Sequence, residues 1–244
     1  MTNDDRPIGH LLSRREIMVL LGATGAAWLI GGNPDRRQAV AGPGGLPCLV
    51  RPEQTEGPYF IDERLHRSDI RSDPTDGLAT AGTPLALTLQ VSRLSSGVCQ
   101  PLPHAQVDIW HCDALGVYSD VRDPDFNTIG RKFLRGYQVT DAHGKVRFLT
   151  VYPGWYPGRT VHIHFKIRTA PVARQSFEFT SQLYFSDELT DLVHAAPPYV
   201  SRGPRTARNR HDGIFWRAGS QLMLAPSATA DGYAAAFALG LQLS

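Results

Sequence analysis

Apolar residues recur at every second position in one short segment of this chain after another, and that period of two leaves few folds open to it. Leu85-Ala86-Leu87-Thr88-Leu89-Gln90-Val91 alternates cleanly, and Ala105–Ile109 and Val146–Thr150 do the same. Val161–Ile167, Ser181–Phe185, Gln221–Leu224 and Ala235–Leu243 also read as strands. Turn signals separate them at Asp141-Ala142-His143-Gly144, Tyr152-Pro153-Gly154 and Asp231-Gly232. Many short strands with such punctuation predict an all-β fold, an antiparallel β-sandwich whose long loops form a pocket. The 23 glycines and 18 prolines fit loops and strands better than a helical bundle. No internal repeat or second domain is seen, so 42–244 is expected to be one domain. Two segments lack a strand pattern, Ser119–Lys132 and Ser186–Asp212. Structureless segments of this length are uncommon unless they serve a site or are disordered. The second is expected to carry a short helix over Asp187–His194. Its arginines (Arg202, Arg205, Arg208 and Arg210) read first as a solvated charged loop, with a lid over a pocket as the functional alternative.

The formal charge of +2 excludes an electrostatic case for nucleic acid as partner. The N-terminus reads as an address. Arg14-Arg15 precedes an apolar run, Ile17–Gly31, and then a small-x-small site, Ala39-Val40-Ala41. That order is a secretory signal of twin-arginine type over residues 1–41. The run is shorter than the roughly 20 residues needed to span a bilayer, so cleavage with no stable membrane span afterwards is expected, and retention as an uncleaved anchor is the alternative. Export to the periplasm or the exterior permits a disulfide. Cys48 and Cys99 lie in Pro-rich stretches at strand ends and are the favoured pair, while Cys112, beside Trp110, reads as a buried thiol.

Within Tyr156-Pro157-Gly158-Arg159-Thr160-Val161-His162-Ile163-His164 the period of two acquires a chemical meaning. His162 and His164 share one strand face, and Val161, Ile163 and Phe165 share the other. Two imidazoles on one face make half a metal site. The cysteines are too scattered for structural zinc. Asp141 and Glu178, the nearest carboxylates, have no telling spacing for a facial triad. Tyr156 and Tyr118 are the conspicuous neighbours. A phenol ionises near pH 10 in water and needs a strong Lewis acid to bind as phenolate. Fe(III) suits two phenolates and two imidazoles, while copper or zinc on the histidine pair alone is the competing reading. His111, just after Trp110, reads as a hydrogen-bonded structural histidine. His104, His143, His194 and His211 read as solvated, and Tyr137, Tyr184, Tyr199 and Tyr233 as core or surface.

Four segments together resemble the intradiol ring-cleavage dioxygenases, non-haem Fe(III) enzymes that open catechols. They are Gln54-Thr55-Glu56-Gly57-Pro58-Tyr59-Phe60, Asp108-Ile109-Trp110-His111 through Tyr118, Arg135-Gly136-Tyr137-Gln138-Val139-Thr140-Asp141, and Pro153-Gly154-Trp155-Tyr156 through His164. The resemblance runs in order from about Glu53 to Phe185 and is nearest to the protocatechuate-type catalytic domain. The helical N-terminal segment of the catechol and hydroxyquinol enzymes has no counterpart here. The resemblance implies a β-sandwich with iron at its edge, held by Tyr118, Tyr156, His162 and His164. It implies that Tyr156 leaves the metal and helps take a substrate proton. It places Arg159 over the ring, Gln182 in the pocket lining, Gly57-Pro58-Tyr59 close to the site, and Trp155 as a wall. The implied reaction takes a catecholic small molecule and O2 to a cis,cis-muconate-type product. A homo-oligomer is among the assemblies it allows. A secreted β-sandwich binding protein, with a relic or a non-iron metal site, is the alternative from another class.

Overall fold

The computed structural model describes residues 49–95, 97–169 and 176–243. Its strands are β1 Pro84–Ser95, β2 Val98–Pro101, β3 Gln106–Trp110, β4 Arg135–Val139, β5 Lys145–Val151, β6 His162–Arg168, β7 Glu178–Tyr184, β8 Ser227–Ala228 and β9 Tyr233–Gln242. Two α-helices follow β7, α1 Asp187–His194 and α2 Gly213–Ala218. One sheet runs β2-β1-β9-β8, with β5 also on β1, and the other runs β4-β3-β6-β7. The expected sandwich is therefore present. Leu85, Leu87, Leu89 and Val91 of β1 are buried, as are Phe237, Leu239 and Leu241 of β9. They join Val107, Ile109, Ile163, Phe165, Ile167 and Leu183 of the second sheet in one core. Each such side chain contributes about 1.5–3 kcal/mol when fully buried, so the alternating residues supply the driving force for stacking the sheets.

Three expectations need correction. The sandwich is antiparallel in every ladder but one: β1 and β9 pair in parallel from Leu85↔Tyr233 to Leu94↔Gln242. The chain builds the whole second sheet between these two strands. It can therefore return to β1 in the same direction, as a parallel pair requires. Gln221–Leu224 is not a strand: Gly219–Leu222 is a 3-10 helix, and only the next residues run extended, with Leu224 N–H donating to Tyr184 O at 2.8 Å. Periodicity cannot separate a strand from a buried helical turn in so short an apolar run. Arg205 and His194 are also not solvated. The Arg205 side chain is buried and pairs with Asp187 and Asp191 at 2.8 and 2.6 Å. His194 donates through Nε2 to Pro153 O and stacks on Tyr199. His104, His143 and His211 are exposed as expected.

Helix α1 falls where the sequence places it, with Ser186 Oγ accepting from Leu189 N as its cap. The segment from α1 to α2 is stitched down. Asn209 donates through Nδ2 to Phe185 O, and Arg208 pairs with Asp191. Cys99 is disulfide-bonded and Cys112 is a buried free thiol. Cys48 and the signal at 1–41 lie outside the described residues. Among the described residues no helix is long and apolar enough to cross a membrane.

His111 is the hydrogen-bonded structural histidine that the sequence suggests. Its Nδ1 lies 2.7 Å from Cys112 O and its Nε2 lies 2.7 Å from Thr150 Oγ1. The carbonyl can only accept, so Nδ1 carries the proton and Nε2 accepts from the threonine. Burial pushes its pKa down to about 4. The unfolded chain therefore binds this proton as pH falls through about 6.5 while the native state still refuses it, and stability is lost across that window, down to the folded value. Urea denaturation at pH 7 and pH 5 is expected to show a fall of about 2 kcal/mol from this group. The pH slope should shrink by that amount in His111→Gln.

Candidate metal centre

Register places the site residues. On β6, His164 lies opposite Trp110 of β3 and Gln182 of β7, and His162 lies opposite Tyr184. Cross-strand partners share a face. Trp110, His162, His164, Gln182 and Tyr184 therefore all point outward from the second sheet, away from the core that Ile163 and Phe165 fill. Loops cover this outer face, so the histidines are buried at 2% exposure on what would otherwise be a wet surface.

Tyr118 arrives from the loop after β3. Asp113 Oδ1 accepts from Leu115 N at 2.8 Å and Val117 N at 2.9 Å, which turns the chain back. Gly116 sits at φ +83°, and a Cβ there would lie 2.2 Å from Trp155 O. Only glycine lets this turn press against the Trp155-Tyr156 backbone. Tyr118 is fully buried and stacks on Tyr59 with centroids 4.4 Å apart. Tyr59 in turn donates to Asp123 at 2.7 Å. Gly57 brings the same segment beside the His164 ring: a Cβ there would be 3.4 Å from Cε1. Pro58, between them, is exposed. Trp155 is buried, donates to Gly203 O at 3.1 Å and carries Arg202 over its ring.

The four expected ligand side chains converge. Tyr156 Oη lies 3.2 Å from His162 Nε2, which lies 2.9 Å from His164 Nε2. The Tyr118 ring is 5.8 Å from that of Tyr156 and 6.5 Å from that of His164. His162 Nδ1 is 2.6 Å from Thr160 O, so its proton sits there and Nε2 presents a lone pair. Burial, and after it the Arg159 charge, pushes His162 well below the usual imidazole range; for His164, burial is followed by His162. Both rings are thus neutral and able to ligate. Burial pushes Tyr118 well above the usual phenol range and Tyr156 up to about 12, the latter against the pull of Arg159. The Tyr118 hydroxyl is buried and interacts with that of Tyr156. Two buried phenols beside two neutral imidazoles, with the His162 Nε2 lone pair turned toward Tyr156, make a donor set that a cation would satisfy. The residues fit a hard, highly charged metal ion. Among the described residues no three His, Cys, Asp or Glu side chains are grouped to hold a metal, so a histidine–carboxylate triad is not assembled here.

Arg159 and Gln182 meet at this centre, with Arg159 Nη2 donating to Gln182 Oε1 at 2.5 Å. Gln182 Nε2 donates to Thr55 O at 3.0 Å. Tyr184, read from sequence as core or surface, belongs to the site. Its hydroxyl lies 3.0 Å from Gln182 Oε1 and 2.8 Å from Gln54 Oε1, and its ring is 6.2 Å from His162. The same spacing of two that singles out His162 and His164 links Gln182 to Tyr184. Asp212 carries no such signal toward Arg159, although an Asp before the turn of α2 is a helix-cap pattern.

Two tyrosines and two histidines thus lie together, buried on the outer face of one sheet of a β-sandwich. The Dioxygenase family model matches residues 55–202. The protocatechuate 3,4-dioxygenase beta chain of Burkholderia cepacia is 30% identical over 190 residues, 73% of this chain and 77% of that one. The solved intradiol ring-cleavage dioxygenase from Tetranychus urticae is 31% identical, with a TM-score of 0.70 over 80% of this chain and 95% of that one. The dioxygenase domain of a carbohydrate-binding fusion from Streptomyces sp. SirexAA-E is 28% identical, with a TM-score of 0.55 over 80% of this chain and 99% of the other. The chain belongs to the intradiol ring-cleavage dioxygenase family and is an oxidoreductase.

Proposed function

We propose that this chain is an exported Fe(III)-dependent intradiol dioxygenase. It opens a catechol-type ring between the two hydroxylated carbons and places both atoms of O2 in a cis,cis-muconate-type product. The observation that carries the reading is the convergence of Tyr118, Tyr156, His162 and His164 in one buried cluster. These four would hold the metal. Ferric ion, when bound, supplies the Lewis acidity that makes phenolate and catecholate available at neutral pH.

The remaining chemistry belongs to the chain. Tyr156 Oη lies beside His162 and, as the phenolate it would become on a bound metal, is the group that would receive a proton from a substrate hydroxyl. Arg159, held on Gln182, presents positive charge where the ring becomes electron-rich. The aromatic shell of Tyr59, Trp110 and Trp155 excludes water from that charge. Iron-loaded protein supplied with isotopically labelled O2 and catechol, protocatechuate or hydroxyquinol in turn tests the reading. Two labelled oxygens per ring-opened product are expected with at least one of them. One label, or none with any catechol, rejects it.

Export rests on Arg14-Arg15 and the apolar run behind them, and a disulfide at Cys99 suits an oxidising compartment. Arg14→Lys together with Arg15→Lys is expected to leave the protein in the cytoplasm with residues 1–41 uncleaved, as judged by fractionation and N-terminal sequencing. Unchanged export would overturn the twin-arginine assignment.

A further inference from the structure

Asp212 is 1% exposed and both its carboxylate oxygens are fully used. Oδ2 accepts from Arg159 Nε at 2.9 Å and from Thr160 N at 2.9 Å. Oδ1 accepts from Ile214 N at 2.8 Å and Phe215 N at 3.1 Å, capping α2. Asp212 thus ties the start of α2 to the loop that leads into the histidine strand. A cap alone needs only Oδ1, yet this side chain spends its other oxygen on a guanidinium.

The guanidinium shows what the second oxygen does. Arg159 has three nitrogens. Nε is fixed by Asp212 and Nη2 by Gln182, which leaves Nη1 without an acceptor among the described residues. Gln182 is itself held by Thr55 O. A guanidinium is planar, so pinning two corners fixes the direction of the third. With Nε released, the group would turn on its long stem about the single remaining contact. Thr160 is held independently, since its Oγ1 donates to Asn209 Oδ1 at 2.5 Å. The orientation of His162 by Thr160 O therefore survives loss of the Asp212 contact.

We infer that Asp212 is a positioning residue for catalysis: its Oδ2 aims the free corner of Arg159 at the substrate ring. The inference rests on the function proposed above. It assigns to the α2 segment a part in the reaction through Arg159. Geometry of this kind controls rate more than affinity, because the carbanion-like charge at the ring carbon that meets O2 grows toward the transition state, beyond that of bound catecholate.

Asp212→Asn tests it in the iron-loaded full chain, with catechol as substrate. The variant is expected to lose about tenfold or more in kcat, by analogy with other groups that orient a charged partner. The KM for catechol should stay within about threefold, as expected when the interaction lost is made chiefly in the transition state. Its visible band and iron content should match the wild type. In an Arg159→Met background the same change should cost no further kcat, since nothing is left to aim. A kcat unchanged in Asp212→Asn, or an equal loss with and without Arg159, overturns the inference. Should the amide variant fail to fold, Asp212→Ser keeps a hydroxyl cap for α2 and reports the same comparison. A wild-type chain with iron but no ring cleavage would instead overturn the proposed function, so the two failures read differently.

Discussion

Changing His162 to alanine is expected to strip the protein of iron and of activity together. Its Nε2 is the atom that lies between Tyr156 Oη and His164 Nε2, and its ring is fixed by the bond from Nδ1 to Thr160 O. Loss of a group that merely supports a ligand costs roughly 10–100-fold in metal affinity, and loss of the ligand itself should exceed the upper figure. Iron bound after dialysis against a mild chelator and kcat/KM by oxygen uptake should fall together. Core strands are untouched, because Ile163 and Phe165 face the other way, so circular dichroism should not change. Full iron retention in His162→Ala would show that the histidine pair does not ligate.

Arg159→Met is expected to separate chemistry from metal binding. The four ligand side chains remain, so iron and colour should persist. Removing one preorganised charge-stabilising group costs about 10²–10³ in kcat. The change also leaves the carboxylate of Asp212 without its counter-ion at 1% exposure. Breaking a buried pair in this way costs about 3–5 kcal/mol, and the N–H groups of Thr160, Ile214 and Phe215 that still face the carboxylate hold the loss to the lower end. Urea denaturation should show that loss, and adding Asp212→Asn should recover part of it. Wild-type stability in Arg159→Met would mean that the pair is solvated, contrary to its burial.

The sandwich was legible because period-two alternation marks each long strand, from Leu85–Val91 to Ala235–Leu243. The parallel β1–β9 ladder was not, because alternation says which face is buried and nothing about which strand lies alongside or in what direction. Strand β4, Arg135–Val139, was missed as a strand for a related reason: its Arg-Gly-Tyr-Gln pattern lacks apolar alternation, and its pairing with β3 defines it. At the site, His162 and His164 were legible from spacing alone. Tyr184 follows the same rule from Gln182, but its residue type is no signal because tyrosine is common in cores. Asp212 lies far from Arg159 in sequence, and Arg205 looked solvated because its acidic partners sit on the other side of a long loop. Charge partners separated in this way leave no local pattern.

The central claim is that two phenolates and two imidazoles of this chain hold ferric iron. The visible absorption spectrum of the iron-loaded protein, recorded beside Tyr118→Phe and Tyr156→Phe, addresses it most directly. The wild type should be burgundy from tyrosinate-to-iron charge transfer, and each phenylalanine should weaken and shift the band. Iron-loaded protein without a visible band, or variants with the wild-type spectrum, would contradict the assignment.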